Sequence, residues 1–217
     1  MHTPQHPHEP DSSQPSAMDA VRLRRLNRWQ AEDLREDLAD LYVESSTTPS
    51  GEEFRGRQEF LRRLAHDVQR PGFDMLVAEA EALAGCAYGV PVERDGSWWQ
   101  GFEGPMPQNL EQLTASGHVF AITETLIHPH EDARGLARRL QERLLADHQA
   151  SLGVTLLDQS DHLAFAAFEA WGWQEIGQIH RQPPSPAALR VLVLRLGERT
   201  TDHPDGLAHN AGTQRPE

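Results

Sequence analysis

The chain has 217 residues, of which 33 are acidic and 20 basic, for a formal net charge of −13 with histidine neutral. A surface of that sign repels a phosphate backbone, which argues against nonspecific nucleic-acid binding, and it attracts a cationic or amine ligand. No apolar run approaches membrane-spanning length, the polar N-terminus has no apolar signal core, and the one cysteine, Cys86, permits no internal disulfide, so a cytoplasmic setting without membrane attachment is expected.

Residues 1–19 and 198–217 are rich in Pro, Ser, His and Gln or in small polar residues, with almost nothing to bury. Neither stretch can offset its ordering entropy, so both are expected to be disordered tails flanking one domain over 20–197. Val21 to Leu26 alternates apolar residues with arginine, as an exposed or edge strand does. Trp29 to Tyr42 places Leu34, Leu38, Leu41 and Tyr42 on one face and reads as a single amphipathic helix. A break at 47–51 precedes a second helix, Phe54 to Val68, built on Phe60, Leu61, Leu64 and Val68. Phe73 to Ala78 and Leu83 to Pro91 read as a hairpin, in which Cys86 is buried filler rather than a nucleophile.

Residues 92–117, punctuated by Gly and Pro, are expected to form a long irregular loop. Its Trp98 and Trp99 either wall an acceptor pocket or pack the loop. Val119 to Ile127 is a strand rich in β-branched residues that stops at Pro129. The next helix opens at a small-residue step, Gly135-Leu136-Ala137, and carries Leu136, Leu140 and Leu144 on one stripe. A helix start of this kind lets a phosphate approach backbone N–H groups closely. Gly153 to Leu157 is a short buried strand, followed by a helix from His162 towards Trp173. A strand near Trp173 to Ile179, a turn at Pro183 to Pro186 and a last strand, Leu189 to Leu196, complete a mixed α/β order without internal repeats.

The joint spacing of Ile127-His128-Pro129, Gly135 and Ala137 with Ala164, Glu169, Gly172 and Trp173 resembles the GNAT acyltransferases. The segment Glu124-Thr125-Leu126-Ile127 and the Trp-Gly-Trp ending look most like members from high-GC, actinobacterial-type bacteria. The resemblance implies a mixed α+β fold, with a central, mostly antiparallel sheet whose middle strands splay apart. It implies an acyl-CoA, such as acetyl-CoA, as co-substrate and an amine as acceptor. Pantetheine would then bond backbone groups around Leu126 and Ile127, with the pyrophosphate over Arg134, Gly135, Leu136, Ala137 and Arg138. For Arg134 and Arg138 a solvated helix face is the alternative.

Four positions depart from the family pattern. Asp132 replaces the usual Arg or Gln, Ala133 the usual Gly, Asp161 the usual Asn, and Phe168 the Tyr that protonates the leaving thiolate. Asp161 still suits a helix cap, whereas Phe168 has no proton to give. Glu124 is the candidate base for the amine, with a solvent-facing sheet residue as the alternative. The base of histone-modifying members falls here on Ala121, which strand alternation puts on the opposite face from Glu124 unless a bulge intervenes. His118 and His128 flank the same strand and are further candidates or surface histidines. The cluster His2, His6 and His8 has no fixed geometry, and no metal is expected.

Together these readings point to an N-acyltransferase moving an acetyl or other small acyl group from acyl-CoA to a primary amine of a small molecule or peptide. The alternative is a protein that keeps the fold without catalysis, as a binding module, or that uses a carrier-bound thioester. Many GNAT members dimerise, so a homodimer is a further expectation from the resemblance.

Overall fold

A computed structural model describes residues 21–45, 52–129, 133–148, 150–181 and 187–197, with the side chains of Ala133 and Arg134 excepted. The two tails, Asp132, the turn at 183–186 and the histidines near the N-terminus lie outside the described residues. The alternating apolar and arginine run forms β1 (Arg22–Leu26), an edge strand antiparallel to β2 (Asp74–Glu79). β2 turns back into β3 (Leu83–Pro91) as the expected hairpin. β4 (Val119–Ile127), β5 (Leu152–Asp158), β6 (Gln174–Arg181) and β7 (Ala187–Arg195) complete a seven-stranded sheet in the order β1-β2-β3-β4-β5-β7-β6. Every neighbouring pair is antiparallel except β4 and β5.

Two expectations are corrected. The single helix over Trp29 to Tyr42 is two helices, α1 (Arg28–Asp33) and α2 (Arg35–Ser45), divided at Leu34. Asn27 and Gln30 close a reciprocal capping box that fixes where α1 starts. The stretch 92–117 is not irregular throughout, because it holds a 3-10 turn, Ser97–Trp99, and a helix, α4 (Gln108–Ser116). The helix over Phe54 to Val68 appears as expected, as α3 (Glu53–Asp67).

Three apolar clusters set the layers. On one face, Leu136, Leu140, Leu144 and Leu145 of α5 (Ala133–Ala146) pack on Ala87, Phe120 and Ile122, joined by Phe165 and Phe168 of α6 (His162–Ala170). On the other face, α2 and α3 cover Met75, Val77, Cys86 and Tyr88. The segment after β3 covers the far half of that second face, where Trp99 and Leu110 meet Val119, Ala121, Val154 and Val193. Burial of these side chains at about 25 cal/mol per Å² of apolar surface supplies the main drive for this layering.

Candidate active site

β4 and β5 pair in parallel only from Val119↔Leu152 to Ile122↔Thr155. Beyond that point β4 runs on to Ile127 and β5 to Asp158 without pairing, so the middle of the sheet opens into a V. Thr155 sits at the fork, where its buried hydroxyl donates to the carbonyl of Ile122 at 3.0 Å. An open seam between neighbouring strands leaves ladder groups for a ligand to meet.

The register identifies those groups. His128 N–H donates to the Ala84 carbonyl at 2.9 Å, which makes Ala84 and His128 a hydrogen-bonded pair. Every second pair along β3 and β4 shares that geometry, so Leu126 and Glu124 turn their backbone groups towards Cys86 and Tyr88. The backbone groups of Thr125 and Ile127 point the other way, into the V. Leu126, expected to offer backbone contacts to pantetheine, has its backbone groups turned to β3, whereas those of Thr125 and Ile127 face the V.

A bulge sets the side chains. Gly89 opposes Ile122 and Tyr88 opposes Glu124, so Thr123 is an extra residue on β4. Simple alternation would separate Ala121 from Glu124, but the bulge returns Glu124 to the face of Ala121, where α3 lies. Its carboxylate meets the Arg63 guanidinium at 3.2 Å, with its side chain 23% exposed. Burial raises the Glu124 acid to about 6, against the opposing pull of Arg63. A carboxylate raised in this way is ionised at neutral pH yet basic enough to accept a proton there.

Among the described residues, the buried side-chain polar atoms without a partner are the Tyr88 hydroxyl, Gln141 Oε1 and Arg190 Nε. Tyr88 stands opposite Glu124, and Gln141 reaches Thr125 from α5 with its amide nitrogen 3.2 Å from Thr125 Oγ1. Arg190 pairs with Leu157 across β5 and β7, and its guanidinium lies 4.4 Å from the Phe165 ring of α6. Orphaned buried polar atoms are rare and costly, and all three border the strands of the V.

The helix positions behave unevenly. α5 begins at Ala133, so Arg134, Gly135 and Leu136 occupy its first turn at the positive end of the helix dipole. Leu136 and Ala137 are buried against the sheet, and Arg138 is exposed and paired with Glu142 at 2.8 Å. Asp161 caps α6, its carboxylate accepting from the Ala164 N–H at 2.9 Å. Phe168 sets its ring 5.4 Å from both Trp171 and Trp173, a packing role with no proton to transfer.

The two tryptophans part company. Trp99 is 3% exposed and donates its indole N–H to Thr114 at 3.0 Å, so it packs the segment after β3 and is closed to a ligand. Trp98 is half-buried, with the Arg181 guanidinium 5.7 Å from its ring. His118 is exposed beside Ser116, and His128 lies 3.3 Å from Glu44, so neither histidine joins Glu124. Cys86 is fully buried and its thiol is pushed far up by burial, as suits filler. Among the described residues no group of three or more His, Cys, Asp or Glu side chains is placed to hold a metal ion. No described helix is long and apolar enough to cross a membrane.

Residues that sequence reasoning missed line the cleft beside Glu124. A cavity of about 440 Å³ lies between α3 and β4, bounded by Glu59, Arg62, Arg63, His66, Asp67 and Thr123. The signal available in the sequence was the run of charged residues on the non-core face of α3, which reads as an ordinary solvated helix surface.

This architecture is that of the GNAT acetyltransferases. An Escherichia coli ribosomal-protein alanine N-acetyltransferase superposes at TM-score 0.53 with 14% identity, over 82% of this chain and 97% of its own. The PaiA N-acetyltransferase of Thermoplasma acidophilum in complex with coenzyme A gives 0.52 and 9%, over 81% and 98%. An aminoglycoside 6′-acetyltransferase gives 0.54 and 11%, over 80% and 96%. No protein-family model matches the sequence. No curated protein matches it either.

Proposed function

We propose that this chain is an N-acyltransferase whose domain spans 20–197, working in the reducing cytoplasm. It moves an acetyl or other small acyl group from acyl-CoA to a primary amine by direct attack. The observation that carries this reading is the V between β4 and β5, with a carboxylate raised to about 6 at the bulge beside it. Thr125 and Ile127 offer backbone groups to pantetheine, and the first turn of α5 offers its dipole to the pyrophosphate. Glu124 takes the proton that the amine must lose as it attacks the thioester. A backbone N–H in the V stabilises the oxyanion of that attack. Phe168 supplies no proton, so the thiolate leaves as the anion and collects its proton from water. The fold neighbours acting on an aminoglycoside or a ribosomal-protein alanine support an amine acceptor.

The test is release of free thiol from acetyl-CoA against a panel of amines, for the native chain and Glu124→Gln. Amine-dependent thiol release that falls about a hundredfold or more in the variant supports the reading. No release with any amine, from a folded protein, overturns it in favour of a GNAT scaffold without this catalysis.

A further inference from the structure

We propose that the acceptor carries a carboxylate besides its amine, and that this carboxylate docks on Arg63 and releases Glu124 for proton transfer. This rests on the acyltransferase reading of the cleft above. The groups facing Glu124 are Arg63 and Asp67 from α3 and Tyr88 and Cys86 from β3. Of these only Arg63 is a cation, and it holds Glu124 through a contact of 3.2 Å.

The other anions of the cleft are already engaged. Glu59 is paired with Arg62, and Asp67 has Arg70 at 3.8 Å. Arg63 and Glu124 are thus the pair that each turnover must open. Once Glu124 accepts a proton its charge is gone, and the Arg63 guanidinium, with 42% of its side chain exposed, is open to another anion. The amine adds to the imbalance, because near neutral pH it arrives as an ammonium ion beside Arg62 and Arg63. A carboxylate on the same molecule cancels that charge. The planar guanidinium also suits a carboxylate in a two-point contact, a geometry that a polyamine cannot use. The carboxylate belongs to a free amino acid or to a peptide, and acceptors of both kinds separate the two sources.

The docking has a proton signature. Drawing Arg63 away removes the pull that lowers the Glu124 acid, so Glu124 takes the proton of the docked ammonium ion, and with an anion that carries no amine it takes one from the buffer. The probes are N-acetylglycine and an N-acetylated dipeptide, which carry the carboxylate but no amine. They are titrated calorimetrically into the full chain at pH 6.5 in two buffers of different ionisation enthalpy. Saturable binding with net proton uptake is expected, and the matching carboxamides should bind about tenfold more weakly or worse. Arg63→Gln, confirmed folded by circular dichroism, should erase that discrimination, whereas Glu124→Gln should keep the binding and lose the uptake. Equal binding of carboxylate and carboxamide, or discrimination that survives Arg63→Gln, overturns the inference.

With acetyl-CoA present, amino acids or peptides should be acylated about tenfold or more faster, in kcat/KM, than their carboxamides or spermidine. A preference for spermidine also overturns the inference. Anion binding with proton uptake, but no turnover on any amine, would remove the acyltransferase reading and leave carboxylate docking on Arg63 standing. Turnover indifferent to the carboxylate would do the reverse.

Discussion

Replacing Glu124 by Gln should raise stability while it lowers activity, and the pH dependence separates this from a generic effect. Burial lifts the Glu124 acid to about 6, where an ordinary glutamate has 4.5. The folded chain therefore holds this proton more tightly than the unfolded chain, so stability falls as pH climbs from about 4.5 through about 6 and then levels off. The full penalty corresponds to about 2 kcal/mol above that window and to roughly 1 kcal/mol at pH 5. Glutamine keeps the shape and lacks the charge, while Arg63 retains access to water. Urea unfolding at pH 5 and pH 8 reads the difference. The variant should exceed the native chain by about 2 kcal/mol at pH 8 and by about half of that at pH 5. Its kcat should fall about a hundredfold or more, with the acidic limb of the native profile near pH 6 gone. A variant no more stable at pH 8 than at pH 5, relative to the native chain, would refute the reasoning.

Substitutions at three further positions test the frame of the sheet and its helices. A Cβ at Gly89 would lie 2.1 Å from the Ala121 carbonyl and 2.7 Å from the Phe120 ring, so Gly89→Ala should cost about 3 kcal/mol in urea unfolding. A loss under about 1 kcal/mol would contradict the close approach at the bulge. Asp161→Ala should cost about 1 kcal/mol through the lost cap of α6, and Asp161→Asn should stay within a few tenths of the native value. Asp74 is buried, with His148 at 2.8 Å and Arg25 at 3.2 Å. Asp74→Ala should cost about 2 kcal/mol on the same assay by removing the buried carboxylate that His148 and Arg25 both meet.

Strand positions were legible because their chemistry is local. The β-branched run of β4 ends at Ile127, just before Pro129, and β3 was bounded by its own apolar residues, so both strands fall where their residues place them. α5 was equally plain, since Leu136, Leu140 and Leu144 repeat at helical spacing and all three are buried. α4 was hidden because it buries only Leu110 and Thr114, too thin a stripe to show a period. The break at Leu34 was masked by apolar residues that keep one face across α1 and α2, although Asn27 and Gln30 had the spacing of a capping box.

The site was harder to read. Glu124 was identifiable as a carboxylate on the right strand, but its face depends on the extra residue Thr123, which nothing in the alternation reveals. Arg63 lies 61 positions away in sequence and meets Glu124 only through packing of α3 on the sheet. For Trp99 the sequence left a pocket wall and loop packing equally open, and the contact of its indole N–H with Thr114 selects packing.

The most direct test of the V as an acyl-CoA site beside Glu124 is residue-resolved amide hydrogen exchange of the full chain with and without acetyl-CoA at millimolar concentration. Protection should appear at Thr125 and Ile127 and in the first turn of α5, with Leu126 unchanged because its N–H already faces β3. No added protection along β4 and α5, or protection confined to a distant part of the sheet, would contradict that placement.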